Sequence, residues 1–278
     1  MSKNNLVHLK NASNNDLAEL LKNNITFSVL HRILQSECTD IFHNNKSVII
    51  CYSNPPYPIW IWCKDANDEG DISSIAECVK NNFPLEKDYN IIMSYDVLEQ
   101  LKRHDSYFDN VTVKMELLSY QLNFLNKIDY FCDGQASLAE YDDLDVISYM
   151  IKDMCYEMEE LDFDIEECKE RARKSINLNQ MYTWKNQNNE IVALTSKKID
   201  GQYGSIASVY TLPQERRKGY AINLVYTISK ELLSENFIPI LYTNGSYAPS
   251  NECYKKIGFE QVGRICNIKR QIPIYQPI

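Results

Sequence analysis

The stretch from Val209 to Ala221, Val-Tyr-Thr-Leu-Pro-Gln-Glu-Arg-Arg-Lys-Gly-Tyr-Ala, sets a strand end, a basic loop and a helix start side by side. Ser205 to Leu212 is rich in small, β-branched and aromatic residues and is predicted to be a strand, which Pro213 ends because it has no amide hydrogen to give a sheet. Beyond the turn, Ala221, Leu224, Val225, Ile228, Leu232 and Leu233 recur at the spacing of one apolar helix stripe, so a helix is predicted to begin near Gly219. The first amides of a helix have no partner within it and lie at the positive end of its dipole. With Arg216, Arg217 and Lys218 beside them they make a site suited to a polyphosphate; Gly219 permits a close backbone approach and Ala221 keeps the next contact small.

Downstream, Phe237 to Thr243 is a second apolar strand, Pro249 to Ile257 a short helix opened by Ser250 and Asn251, and Gly258-Phe259 precedes a third strand through Val262 and Ile265. In this setting Arg216-Arg217-Lys218-Gly219-Tyr220-Ala221 resembles the Arg/Gln-x-x-Gly-x-Gly/Ala loop of the GNAT superfamily of acyl-CoA-dependent N-acyltransferases. Asn251-x-x-Tyr254-x-x-x-Gly258-Phe259 resembles the closing motif of the same family, so the resemblance runs from about residue 135 to 270. It implies an α/β fold of the α+β, mixed-sheet kind, with acetyl-CoA as cosubstrate and no metal. It further implies that the amides of the loop from Arg216 to Ala221 hold the coenzyme's pyrophosphate. Backbone amides near Val209, Tyr210 and Thr211, where two parallel strands splay apart, would polarise the thioester carbonyl.

The resemblance places Tyr254 at the coenzyme's sulfur. A phenol of pKa about 10 can protonate a departing thiolate of pKa near 8.5, which makes Tyr254 the candidate general acid; the other reading is a packed tyrosine on a short helix. Asn251, one turn earlier, would contact the pantetheine or phosphate arm, or else cap the helix. No general base is evident: Ser205 to Leu212 holds neither carboxylate nor histidine, and His8, His31, His43 and His104 all lie in the amino-terminal half. Glu157, acting through water, is a weak candidate, and an amine arriving neutral is the alternative. Gly-x-Ser-x-Gly and Gly-x-x-x-x-Gly-Lys-Ser/Thr are both absent, and Cys253 has no histidine near it in sequence.

A net charge of −9 without a long basic run disfavours nucleic acid and suits a cationic substrate. No apolar run approaches about 18 residues, and Met1 to Leu9 lacks the layout of a signal peptide, so no membrane association and a cytoplasmic location are expected. The nine cysteines show no Cys-x-x-Cys pair, which argues against a zinc site and for buried small apolar residues. The expected partner is an amine acceptor, a small molecule or a peptide; a homodimer is left open.

In the amino-terminal half, residues 14 to 42 are predicted to be helical. Strands follow at Ser47 to Tyr52 and Ile59 to Cys63 around Asn54-Pro55-Pro56, then a helix at Ile72 to Asn82, a strand at Asn90 to Met93, a helix at Tyr95 to His104 and a strand at Val111 to Leu118. The succession matches that of the carboxy-terminal half, so residues 1–125 are expected to be a degenerate, tandem GNAT-like scaffold and 135–278 the catalytic domain. Where the active half carries three cations, the first half carries Lys64-Asp65-Ala66-Asn67-Asp68-Glu69-Gly70-Asp71, which should repel a pyrophosphate.

Between the halves, Asn123 to Gly134 is the expected connection, followed by a strand at Gln135 to Glu140. Asp142 and Asp143 are candidate caps for a helix carrying Leu144, Ile147, Ile151 and Met154, a second helix is predicted over Ile165 to Ile176, and Tyr182 to Lys185 and Ile191 to Lys198 should pair as a hairpin around Asn188-Asn189. The acidic run holding Glu157, Glu159, Glu160, Asp162, Asp164, Glu166, Glu167 and Glu170 is either part of an acceptor pocket for a cationic amine or a solvated helix face. Met150, Met154, Met158 and Tyr156 line that pocket or, for the methionines, pack in the core. Two other functions stand beside direct acetyl transfer: a non-catalytic acyl-CoA-binding or sensor module, and an acyltransferase using a longer acyl-CoA.

Overall fold

The computed structural model describes residues 6–54, 57–87, 89–129, 132–159 and 162–270, apart from the side chains of Met158 and Glu159. The chain begins β1 (Val7–Ala12), α1 (Asn15–Leu21), α2 (Ser28–Leu34), β2 (Cys38–His43), β3 (Val48–Tyr52), β4 (Ile59–Cys63), α3 (Glu69–Asn82), β5 (Ile91–Ser94), α4 (Tyr95–His104) and β6 (Val111–Gln121). It continues β7 (Gln135–Leu138), α5 (Leu144–Glu159), α6 (Ile165–Asn177), β8 (Met181–Lys185), β9 (Ile191–Asp200), β10 (Tyr203–Thr211), α7 (Tyr220–Ser234), β11 (Ile238–Asn244), α8 (Ala248–Ile257) and β12 (Glu260–Arg270). The fold is the expected mixed α/β one. Among the described residues no helix is long and apolar enough to cross a membrane.

The single helix expected over residues 14 to 42 does not form. Asn24 breaks it by accepting a hydrogen bond from the Phe27 amide at 3.2 Å, and the β-branched Thr39 and Ile41 belong to β2, which pairs antiparallel with β3 through Ile41 opposite Cys51. Pro55 and Pro56 of the expected turn lie outside the described residues.

Contacts divide the chain into two compact units. The first takes the chain up to Ser119, Thr243–Tyr247 and the chain from Val262 on; the second takes Tyr120–Tyr242 and Ala248–Gln261. This division differs from a cut between 125 and 135 because the last strand joins the first unit. There the sheet order is β1-β2-β3-β4-β5-β12-β6, and β12 runs antiparallel to β5 with Cys266 opposite Met93. Cys266 and Ile268 of β12 are buried in the same core as Ile50, Ile61, Val79 and Leu101. In the second unit the order is β11-β10-β9-β8-β7, and Leu122, just past β6, donates to the Pro239 carbonyl of β11 at 2.9 Å.

Each unit repeats one pattern. Three antiparallel strands (β2, β3, β4 and β8, β9, β10) are followed by a helix, a strand parallel to the third, and a second helix. The helix starts differ. Asp68 accepts from the amides of Gly70 and Asp71 at 2.9 and 3.0 Å, so the start of α3 already holds a carboxylate of its own chain. Asp71, in the first turn of α3 and not in the expected loop, is 1% exposed and accepts from Asn44 at 3.0 Å.

Candidate functional site

The second unit places the site at the end of β10. The parallel ladder between β10 and β11 runs only from Tyr203 opposite Ile238 to Ile206 opposite Leu241. Past it, β10 stays paired with β9 through Tyr210 opposite Leu194 and Thr211 opposite Ala193. Between Ala207 and Tyr210 the register shifts, with Ser208 at φ 55°. Thr195 Oγ1 and Ser196 Oγ both donate to the Ala207 carbonyl, at 3.0 and 3.2 Å, and pin this bulge. Val209 therefore sits in the bulge, and Tyr210 and Thr211 beyond the β11 ladder. Thr211 Oγ1 is buried and has no hydrogen-bond partner among the described residues.

The loop then turns through Arg217 and Gly219, at φ 64° and 92°. A Cβ on Gly219 would come no nearer than 3.5 Å to Asn223 Nδ2, so the left-handed backbone and not crowding calls for glycine. Gly219 caps α7 without a side-chain hydrogen bond, whereas Asp68, Ser94 and Asp164 cap α3, α4 and α6 with one. The first helical bond runs from the Asn223 amide to the Gly219 carbonyl at 3.1 Å, so the amides of Tyr220, Ala221 and Ile222 precede it. Leu224, Val225, Ile228 and Leu232 are fully buried and fix the axis.

Tyr220 anchors this start. Its hydroxyl donates to Asp133 Oδ1 at 2.6 Å, while Asp133 Oδ2 accepts from the Gln187 amide at 2.8 Å and the Asp133 carbonyl from Trp184 Nε1 at 2.8 Å. The bond to Asp133, with burial behind it, pushes the Tyr220 phenol up to about 12, and the bond from Tyr220 holds the Asp133 carboxyl below its usual range. A raised phenol pKa contributes stability that is whole below pH 10 and lost as pH rises towards about 12. The depressed Asp133 contributes above the ordinary carboxylate pKa of about 4 and is lost as pH falls below it. Asp133→Asn is therefore expected to flatten the fall of melting temperature above pH 10. An unchanged slope in thermal melts from pH 9 to about 12 would remove the anchor role.

The loop cations are unequal. Arg216 donates from Nη2 to Glu157 Oε2 at 2.6 Å and from Nε to the Thr211 carbonyl at 3.1 Å. Lys218 pairs with Glu215 at 2.8 Å, and among the described residues Arg217 has no ion pair. Glu157 also accepts from the Tyr210 hydroxyl at 2.9 Å, and burial, then Glu157, pushes the Tyr210 phenol up.

On α8, Tyr254 is 6% exposed, its ring 6.4 Å from that of Tyr120 and 6.0 Å from that of Phe259. Asn251, as buried, accepts from the Tyr120 hydroxyl at 3.4 Å. Gly258 has φ 114°, and a Cβ there would lie 2.6 Å from the Phe124 carbonyl, so the closing glycine lets the irregular segment that follows β6 lie against the end of α8. Met150 and Met154 are core residues packed with Ile147, Cys168 and Ala172, while Tyr156 is exposed. Glu160 and the side chains of Met158 and Glu159 lie outside the described residues. Much of the remaining acidic run is engaged locally: Asp164 caps α6, Glu167 pairs with Arg171, Glu166 with Lys169 and Asp162 with Lys152. Six of the nine cysteines are buried and all are free thiols, as expected of small apolar residues.

The structure thus brings Val209 to Thr211, the loop cations and Glu157 together. Sequence reasoning missed Asp133, which reaches Tyr220 across 87 residues of chain, and the paired hydroxyls of Thr195 and Ser196; neither belongs to a local pattern.

The family model described as FR47-like protein matches residues 186–267, which span β9 to most of β12. Three solved structures are similar along nearly the whole chain. One is an acetyltransferase of the GNAT family from Colwellia psychrerythraea, 12% identical, covering 95% of this chain and 100% of its own, with a TM-score of 0.61. A protein from Drosophila is 12% identical over 96% of this chain and 98% of its own, with a TM-score of 0.68. A GCN5-related N-acetyltransferase from Sphaerobacter thermophilus is 10% identical over 95% of each chain, with a TM-score of 0.64. At such identities the likeness is one of fold. No curated protein matches the sequence significantly.

Proposed function

We infer that this chain, whose fold is that of the GNAT superfamily, is an N-acetyltransferase that moves an acetyl group from acetyl-CoA directly to an amine of a small molecule or peptide. One observation carries the reading: α7 starts without a side-chain cap, its first amides ahead of the first helical bond and the cations Arg217 and Lys218 beside them, next to a β10 that has left the β11 ladder. The buried, unpartnered Thr211 Oγ1 in the same place fits a polar ligand group. Arg217, Lys218 and the amides of Tyr220 to Ile222 would hold the coenzyme's diphosphate. When bound, acetyl-CoA supplies an acyl thioester. The backbone from Val209 to Thr211 orients its carbonyl, Asn251 supports the helix that carries Tyr254, and Tyr254 delivers a proton to the departing sulfur. The first unit, whose matching helix start is filled by Asp68, serves as scaffold.

Calorimetry with free coenzyme A, and thiol release from acetyl-CoA with a panel of amines, tests this. Replacing both Arg217 and Lys218 by Ala is expected to weaken coenzyme A binding about tenfold. Absence of binding to the unaltered protein would overturn the reading.

A second reading, an acyl-CoA-binding module without chemistry, is favoured by the packing of Tyr254 between Tyr120 and Phe259. It predicts coenzyme A binding without thiol release from any amine.

A further inference from the structure

Arg216 occupies a cation pocket built by its own chain. A carboxylate oxygen of Glu157 and the carbonyl of Thr211 accept from its guanidinium at 2.6 and 3.1 Å, and its Cζ lies 5.4 Å from the centre of the Tyr210 ring. Carboxylate, carbonyl and aromatic face are the three groups that recognise an organic cation. The second carboxylate oxygen of Glu157 is fixed by the Tyr210 hydroxyl at 2.9 Å, so the pocket keeps its shape without Arg216. The side chains of Glu157 and Arg216 are each 37% exposed, and a pair so open to water is weak enough to be exchanged.

Resting on the proposed function, we propose that Arg216 and Glu157 form an exchangeable latch joining the phosphate loop to a cation site for the acceptor. Arg216 stands in the loop that would face the coenzyme's phosphates, and phosphate competes with Glu157 for its guanidinium. When phosphate takes Arg216, the carboxylate is left to a second cation, and the chemistry of the pocket selects a protonated amine or guanidinium on the acceptor. The two ligands therefore help each other: a cation on Glu157 releases Arg216 to phosphate, and phosphate on Arg216 releases Glu157 to the cation. Thermodynamic linkage requires the two effects to be equal.

Calorimetric titration with free coenzyme A tests the latch without turnover. Glu157→Gln keeps the shape of the side chain, removes the competing charge and is expected to tighten coenzyme A binding about threefold. In the Arg216→Ala protein, the same change should leave the affinity where it was. Agmatine, at matched ionic strength, is expected to tighten coenzyme A binding to the unaltered protein and not to the Glu157→Gln protein. Equal tightening by Glu157→Gln with and without Arg216, or no tightening at all, would overturn the latch while leaving the acetyltransferase reading intact. Coenzyme A binding that ignores agmatine would overturn the cation site. Failure of the unaltered protein to bind coenzyme A would overturn latch and reading together. Thermal melts of each variant separate these results from misfolding.

Discussion

Tyr254→Phe is expected to lower kcat for thiol release about a hundredfold while leaving coenzyme A affinity within about twofold, the low end of what a positioned general acid contributes. The substitution removes one oxygen and keeps the ring, so the contacts with Tyr120 and Phe259 persist and loss of the proton donor is separated from loss of ring packing. That separation matters because Tyr254 is buried, and a larger change would confound proton delivery with lost packing. A kcat equal to that of the unaltered enzyme would make Tyr254 a packing residue and require another source for the thiol's proton. A fall in kcat joined to a large loss of affinity would point instead to a disturbed binding site.

A large effect on stability is expected at Gly204. A Cβ built there would stand 2.3 Å from Leu232 Cδ2, 2.7 Å from Cδ1 and 2.9 Å from Cγ, and Leu232 is fully buried. Gly204 is thus where α7 rests on β10. Gly204→Val gains strand propensity worth up to about 1 kcal/mol but forces the leucine out of its place, and overpacking of this kind costs about 3 kcal/mol. Destabilisation should win, and because α7 carries the phosphate loop on its first turn, coenzyme A affinity should fall with it. Adding Leu232→Ala in the same protein should recover part of the loss by making room. Chemical denaturation of single and double variants measures both, and a Gly204→Val protein as stable as the parent would show that α7 is not seated this way.

What could be read from the sequence was what local chemistry dictates. Pro213 ended a strand, Gly219 opened a helix, and the stripe from Leu224 to Leu232 faced a core, each within a few residues of the observed position. β1 escaped because its alternation, Val7-His8-Leu9-Lys10, is only four residues long and breaks at Asn11, and β2 because the stripe of Leu30, Ile33 and Leu34 runs on into its own apolar residues. The loop cations were legible as cations, but not that Arg216 would be turned to Glu157 across 59 residues or Tyr220 to Asp133 across 87. Such pairings depend on how α5 and the segment before β7 come to lie beside the loop, which no window of sequence contains.

The place of β12 bears on how the molecule is made. A ribosome releases the first half of this chain well before residues 260–270, yet Cys266 and Ile268 belong to the core of the first unit and β5 has its antiparallel neighbour only in β12. The second edge of β5 must therefore stay open until residues 260–270 have emerged. Neither unit is one continuous stretch that can be cut out at a linker: a cut that removes β12 damages the half that precedes it by more than a hundred residues.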